Sequence, residues 1–126
     1  MRRALVCLLM VAVPVGGAVL PAGTAGAATS PTCNAAIDVW WPVQSRAWAK
    51  SIVWREAGNQ PAAANRRSSA RGCWQLLMSL HAHRFNKVGF GCNPSKWANA
   101  DCNTLVALSL YRQAGTRPWR VTRYTR

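Results

Sequence analysis

SRAWAKSIVWREAGNQPAAANRRSSARGCWQL, residues 45–76 of this 126-residue chain, decides the fold. Its first half is helical in pattern. At 100° per residue, Trp48, Ala49, Ile52 and Val53 fall on one arc, with Arg46 and Lys50 opposite. Gly58 is a natural stop, so the spacing predicts a helix over 45–57. Glu56 leaves the polar side. It stands in register with Ile52 and Trp48, four and eight residues earlier, in the middle of the apolar arc. Residues 59–72, NQPAAANRRSSARG, carry Pro, Asn, Ser and Gly and read as a turn-rich loop or small hairpin.

Outward from this stretch the chain continues as mostly helix. Leu76 to Phe85 is expected to form a second helix, followed by a Gly/Asn/Pro/Cys loop from about Asn86 to Cys102. Asp101 or Asn103 is expected to cap a last helix running to about Ala114 and stopped by Gly115. From Thr116 the tail is basic and contains Trp119 and Tyr124. Toward the N-terminus, Ile37 to Trp41 is apolar and ends at Pro42, a turn or short helix, and 28–35 is a lead-in. The expected class is mainly α, as a small α+β domain with a short β or loop segment.

The first 27 residues differ in kind. Arg2 and Arg3 precede an apolar run from Ala4 to Val13, then a Pro/Gly/Ala stretch ends in Ala25-Gly26-Ala27. That order is the layout of a secretory signal peptide, and Pro14, Gly16, Gly17 and Pro21 interrupt the run before it spans a bilayer comfortably. Residues 1–27 are therefore expected to be a leader and 28–126 a single secreted domain, acting as a monomer without stable membrane insertion.

Cys7 lies in that leader; Cys33, Cys73, Cys92 and Cys102 remain. An even count in a small exported domain points to two disulfides, for which three pairings are possible. Cys92–Cys102 as a local loop, with Cys33–Cys73 holding the start of the domain to its middle, is the favoured pairing. The absence of any C-x-x-C pair speaks against zinc, and no cofactor is expected. His81 and His83 diverge on a helix and read as surface or packing residues. Sixteen Lys and Arg oppose three acids, a net charge of +13, or +11 once Arg2 and Arg3 are lost with the leader. Such a field attracts polyanions. With export making nucleic acid an improbable partner, anionic cell-wall polymers fit best.

Cleaving a glycosidic bond requires a proton on the leaving oxygen. A carboxyl group supplies it near neutral pH only where its surroundings disfavour ionisation, as apolar and aromatic neighbours do. Glu56 stands on the helical face of Trp48 and Ile52, with the negative end of the helix dipole beside it. A structural ion pair with one of the many arginines is the alternative role.

The segment WREAGNQPAAANRRSSARGCWQL, residues 54–76, resembles the core of the lysozyme-like lytic transglycosylases, including goose-type lysozymes and their small actinobacterial relatives. Their pattern runs Glu-Ser, a short gap, Asn-Pro, Ala, Asn, a Ser-Ala-Gly stretch, an apolar residue and Gln. The resemblance covers about Trp48 to Trp119 and implies a lysozyme-like fold. It also implies that Glu56 is the catalytic glutamate and Gln75 a cleft residue that holds substrate. NTLVALSLYRQAGTRPW resembles the closing helix of that family, making Tyr111 the candidate to hydrogen-bond the catalytic carboxyl. Ala57 stands where the family has Ser, and Asn59-Gln60-Pro61 is one residue longer than Asn-Pro.

The expected substrate is the peptidoglycan glycan strand, cut between N-acetylmuramic acid and N-acetylglucosamine. A hydrolase usually pairs two carboxyl groups, roughly 5–9.5 Å apart. Only Asp38 and Asp101 accompany Glu56, and neither spacing suggests a partner, so the single-glutamate transglycosylase route is favoured over a hydrolytic lysozyme. A cationic wall-binding or antimicrobial protein without turnover is the rival of a different class. Among seven tryptophans, Trp40, Trp41, Trp74 and Trp97 are candidates to stack on sugar rings, Trp74 first, although most Trp area goes to cores. Asn65, Ser68 and Ser69 are loop-formers and also candidates to bind N-acetyl groups, Asn65 and Ser69 first.

Overall fold

The computed structural model describes residues 29–120; residues 1–28, which include the expected leader, and the last six residues, with Tyr124, lie outside it. Among the described residues, four α-helices and one two-stranded antiparallel sheet make a mainly helical, small α+β fold. Helix α1 spans Cys33–Trp40, α2 Arg46–Ala57, α3 Met78–Phe85 and α4 Ala100–Ala114. Strands β1 (Ala70–Arg71) and β2 (Leu76–Leu77) lie between α2 and α3. Short 3-10 turns occur at Val43–Ser45, Pro94–Lys96 and Arg117–Trp119.

Each helix end has a local cause. Thr32 caps α1 by accepting from the Ala35 N–H at 3.2 Å. Gly58 ends α2 in the left-handed conformation at φ +56°, and its N–H bonds to the Trp54 carbonyl. The N-cap of α4 is Asn99, whose side chain accepts from the Cys102 N–H at 3.0 Å, in place of Asp101 or Asn103. Asn99 precedes the first helical residue, where an oxygen reaches the free N–H groups; Asp101 and Asn103 are already inside the first turn.

Helix α4 is the centre of the molecule. Its buried residues include Ala100, Cys102, Asn103, Thr104, Val106, Ala107, Leu108 and Leu110, so most of its circumference is covered. Helix α1 packs on α4 and α2, and α3 packs on α4. Asp101 faces outward from the core and clamps the N-terminal segment. It accepts from the Ser30 N–H at 2.7 Å, the Ser30 hydroxyl at 2.6 Å and Trp40 Nε1 at 2.8 Å.

Much of the core is aromatic. Trp41 stacks on Trp74 with ring centroids 4.5 Å apart, and Trp48, Tyr111 and Trp119 close around them. Trp41, Trp74 and Trp119 are buried, so these rings serve packing first. Trp119 departs from the expectation of a basic tail. The 3-10 turn after Gly115 folds it back against Trp74, whose carbonyl accepts from Trp119 Nε1 at 3.4 Å.

Leu76 and Leu77 also depart from expectation, as a strand rather than the start of a helix. Leu76 pairs with Arg71 and Leu77 with Ala70. A short apolar run carries no period that separates the two states. The hairpin is closed by residues 72–75, with Gly72 at φ +77° and Gln75 at φ +45°. Gly72 is required for a second reason: a Cβ there would lie 2.2 Å from Asn103 Nδ2.

The disulfides are Cys33–Cys73 and Cys92–Cys102, the favoured pairing. They close loops with sequence separations of 40 and 10. Chain-entropy arguments then give about 4 kcal/mol for the first and about 2.7 kcal/mol for the second. Replacing Cys33 and Cys73 together by Ala should therefore lower the urea midpoint more than replacing Cys92 and Cys102. Equal or reversed losses would mean that folded-state packing, not loop closure, dominates.

Among the described residues, no helix is long and apolar enough to cross a membrane.

Candidate functional site

The end of α2, the hairpin turn, the start of α3 and the C-terminal 3-10 turn enclose a cleft of about 360 Å³. Its polar lining is Arg55, Glu56, Gln75, His81 and Arg120; its apolar lining includes Trp74, Leu76, Leu77, Leu110 and Trp119. A volume of this order lies in the range typical of small-molecule sites.

Glu56 reaches the cleft because it follows Ile52 and Val53 along the buried stripe of α2, one turn closer to the helix end. There the stripe runs out of core, leaving the side chain 29% exposed. Arg55 Nη2 lies 2.6 Å from Glu56 Oε1 and Nε lies 3.0 Å from the same oxygen. Nη2 also donates to the Trp119 carbonyl at 2.7 Å, so one guanidinium ties Glu56 to the C-terminal turn. The apolar neighbours expected around Glu56 are thus joined on one side by a cation, the arginine pairing named as its alternative role.

Gln75 lines the same cleft. Its Nε2 donates to the carbonyls of Ala63 at 3.0 Å and Gly72 at 2.9 Å. Those two bonds hold the 63–75 loop in shape and help to offset the left-handed backbone at Gln75. They use the amide nitrogen, leaving Oε1 as the atom Gln75 has to offer a ligand. Trp74 contributes to the cleft wall, but its ring is otherwise core, with Nε1 donating to Thr104 Oγ1 at 3.1 Å.

The other candidates are placed elsewhere. Tyr111 packs its ring on Trp41 and Trp48, at 5.1 and 5.4 Å, and is neither among the cleft-lining residues nor hydrogen-bonded to Glu56. The helical register that brings Leu110 to the cleft turns Tyr111 toward the aromatic core. Asn65 accepts from the Arg67 N–H at 2.8 Å, and Ser69 Oγ meets Ser79 Oγ at 2.9 Å. Both shape the loop and hairpin away from the cleft lining. Trp40 packs on Phe90, while Trp97 lies under the Arg71 guanidinium, 5.9 Å from its ring centroid.

The acids are accounted for completely, since all three lie in the described residues. Asp38 pairs with Lys50 at 2.7 Å and Asp101 holds Ser30 and Trp40. Glu56 is the one carboxylate that lines the cleft.

His81 was expected on the surface or in packing; it lines the cleft. Its two-apart spacing from His83 carried no hint of this, because the cleft wall is made by elements distant in sequence. Burial lowers the His81 pKa below its usual value, with the Arg84 and His83 charges adding to the effect. An unfolded chain takes up this proton near the ordinary histidine value of about 6.5, while the native protein resists it until lower pH. Stability should therefore fall as pH drops below about 6.5 and level off once the native imidazole also protonates. Urea titrations between pH 7.5 and 5 check this, and His81→Gln should flatten the profile. An unchanged slope in that variant would exclude His81 as its source.

No family model, curated protein or solved structure matches the chain.

Proposed function

We propose that this protein cleaves the glycosidic bond between N-acetylmuramic acid and N-acetylglucosamine in peptidoglycan, with Glu56 as the single acid and base. The observation that carries this reading is a cleft lined by one carboxylate, Glu56, and by a glutamine, Gln75, from a tight hairpin turn. The spacing of these residues in the sequence adds the resemblance to lytic transglycosylases.

In the proposed reaction Glu56 gives its proton to the oxygen leaving C1 of the muramyl residue. The resulting carboxylate then takes the proton of the muramyl C6 hydroxyl as that oxygen bonds to C1, which leaves a 1,6-anhydro end. Proton count and charge return to their starting values without a second protein base. Because Asp38 and Asp101 are both committed to structural contacts, the chain supplies no obvious partner for a two-carboxylate hydrolysis. Arg55 must release Oε1, or the proton must travel on Oε2, for the acid step to proceed.

A wall-binding role without turnover is the second reading. It is favoured by the Arg55 contact on the carboxylate and by Arg120 in the same cleft, both suited to anionic ligands. Mass spectrometry of the products released from purified peptidoglycan separates the possibilities. Anhydromuramyl ends support the transglycosylase, and reducing ends indicate a hydrolase. Wall binding with no released fragments would leave the cationic binding protein.

A further inference from the structure

His81 is the one titratable side chain of the cleft, besides Glu56, that is neither an arginine nor used by the proposed reaction. Its Nδ1 is buried and has no hydrogen-bond partner. A proton on that nitrogen would leave a buried N–H unsatisfied, which is costlier than an unsatisfied acceptor. The favoured tautomer carries its proton on Nε2, the ring nitrogen that is not orphaned in the interior, and His81 lines the cleft. The charged form is disfavoured as well, by burial and by the Arg84 and His83 charges on the same helix. From the other walls, Arg55, Glu56 and Arg120 line the same cleft. His81 is therefore a neutral hydrogen-bond donor among cations.

Leu77, the last residue of β2 and the extended residue that leads into α3, lines the cleft together with His81. A neutral donor beside an exposed leucine suits a small group with a carbonyl oxygen next to a methyl. An acetamido group has that form. A carboxylate, by contrast, would gain more from Arg55 or Arg120.

We propose that His81 reads the acetamido group of an N-acetylated sugar, its Nε2–H donating to the carbonyl oxygen while Leu77 receives the methyl. This assignment rests on the glycan-binding reading of the cleft and adds a specificity residue to it.

The test is binding of chitotetraose, a neutral N-acetylglucosamine oligomer, at pH 7.5, followed by tryptophan fluorescence and calorimetry. His81→Leu removes the donor, and His81→Gln returns an N–H close to the position of Nε2. The leucine variant should bind about 10-fold more weakly, the loss expected for one buried neutral hydrogen bond, while the glutamine variant stays within about threefold of wild type. Urea midpoints establish that both variants are folded. Wild-type affinity in His81→Leu, or an equal loss in both variants, would overturn the donor assignment. Failure of wild type to bind chitotetraose would overturn the acetamido reading. Loss of His81 dependence with peptidoglycan cleavage intact would remove this inference and leave the proposed reaction standing; a wild type that releases no fragments would remove that reaction itself.

Discussion

Glu56→Gln is expected to reduce the release of soluble fragments from peptidoglycan by roughly 10²–10⁴-fold, the usual contribution of a positioned acid–base group. The amide keeps the shape of the carboxyl, and its oxygen still accepts from Arg55, so the contact linking α2 to Trp119 survives. What the variant loses is the transferable proton. Stability should stay nearly constant, because partly exposed ion pairs contribute on the order of 0–1 kcal/mol. Fragment release and the urea midpoint should therefore part company in this variant. Asp38→Asn makes a useful companion: Asp38 is exposed and paired with Lys50, so its activity should match wild type. If Glu56→Gln lyses walls as well as the parent, the acid role is lost and the positive charge becomes the active principle.

Asn103→Leu is expected to be the most damaging single change to stability, costing about 4–5 kcal/mol, a large share of what a small domain possesses. Asn103 is fully buried on α4 and spends both ends of its amide on backbone. Oδ1 accepts from the Trp74 N–H at 3.0 Å, and Nδ2 donates to the carbonyls of Trp97 at 3.1 Å and Arg71 at 3.3 Å. Two separate chain segments, the hairpin at 71–74 and the loop at Trp97, thus converge on one side chain of α4. Leucine has similar volume but leaves those three groups without their partner, at roughly 1–3 kcal/mol apiece before relaxation. Gly72 belongs to the same device, since only a residue without Cβ lets the turn approach the amide so closely. Near-UV circular dichroism reports the Trp41–Trp74 stack directly, and the variant should have lost most of that signal at 25 °C. A variant with wild-type urea stability would mean that water or backbone movement satisfies the freed groups.

The Asn103 contacts also explain how the cleft gets its shape. Trp74 and Gln75 reach the cleft from a turn whose backbone is anchored to α4 through Trp74 N–H. From below, Cys73 ties the same turn to α1. The position of Gln75 relative to Glu56 is therefore set by α4 and α1, neither of which contributes a cleft-lining polar group. Loosening Asn103 should disturb the cleft as well as the core.

Several features were legible without coordinates. The α2 stripe of Ala49, Ile52 and Val53, its Gly58 stop and the inward register of Glu56 follow from a 3.6-residue period and one left-handed glycine. The end of α4 also falls at a glycine of positive φ, Gly115 at +59°. Cysteine number and spacing narrowed the staples to a few pairings, but only the fold brings Cys33 within bonding distance of Cys73.

Other features depend on neighbours far along the chain. Asn103 looks like a cap in sequence and is a buried junction; its partners lie about thirty and six residues earlier in the chain. Trp119 sits in a basic tail yet packs in the aromatic core. Tyr111 and Leu110 are adjacent, but only Leu110 lines the cleft. His81 resembles any surface histidine until the hairpin and the C-terminal turn close over it. The sequence by itself determined α2, the glycine stops of α2 and α4 and the face on which Glu56 stands, because periodicity and backbone preference act over a few residues. Tertiary structure alone decided which side chains meet across the cleft, because those contacts arise only when segments distant in sequence bury one shared surface.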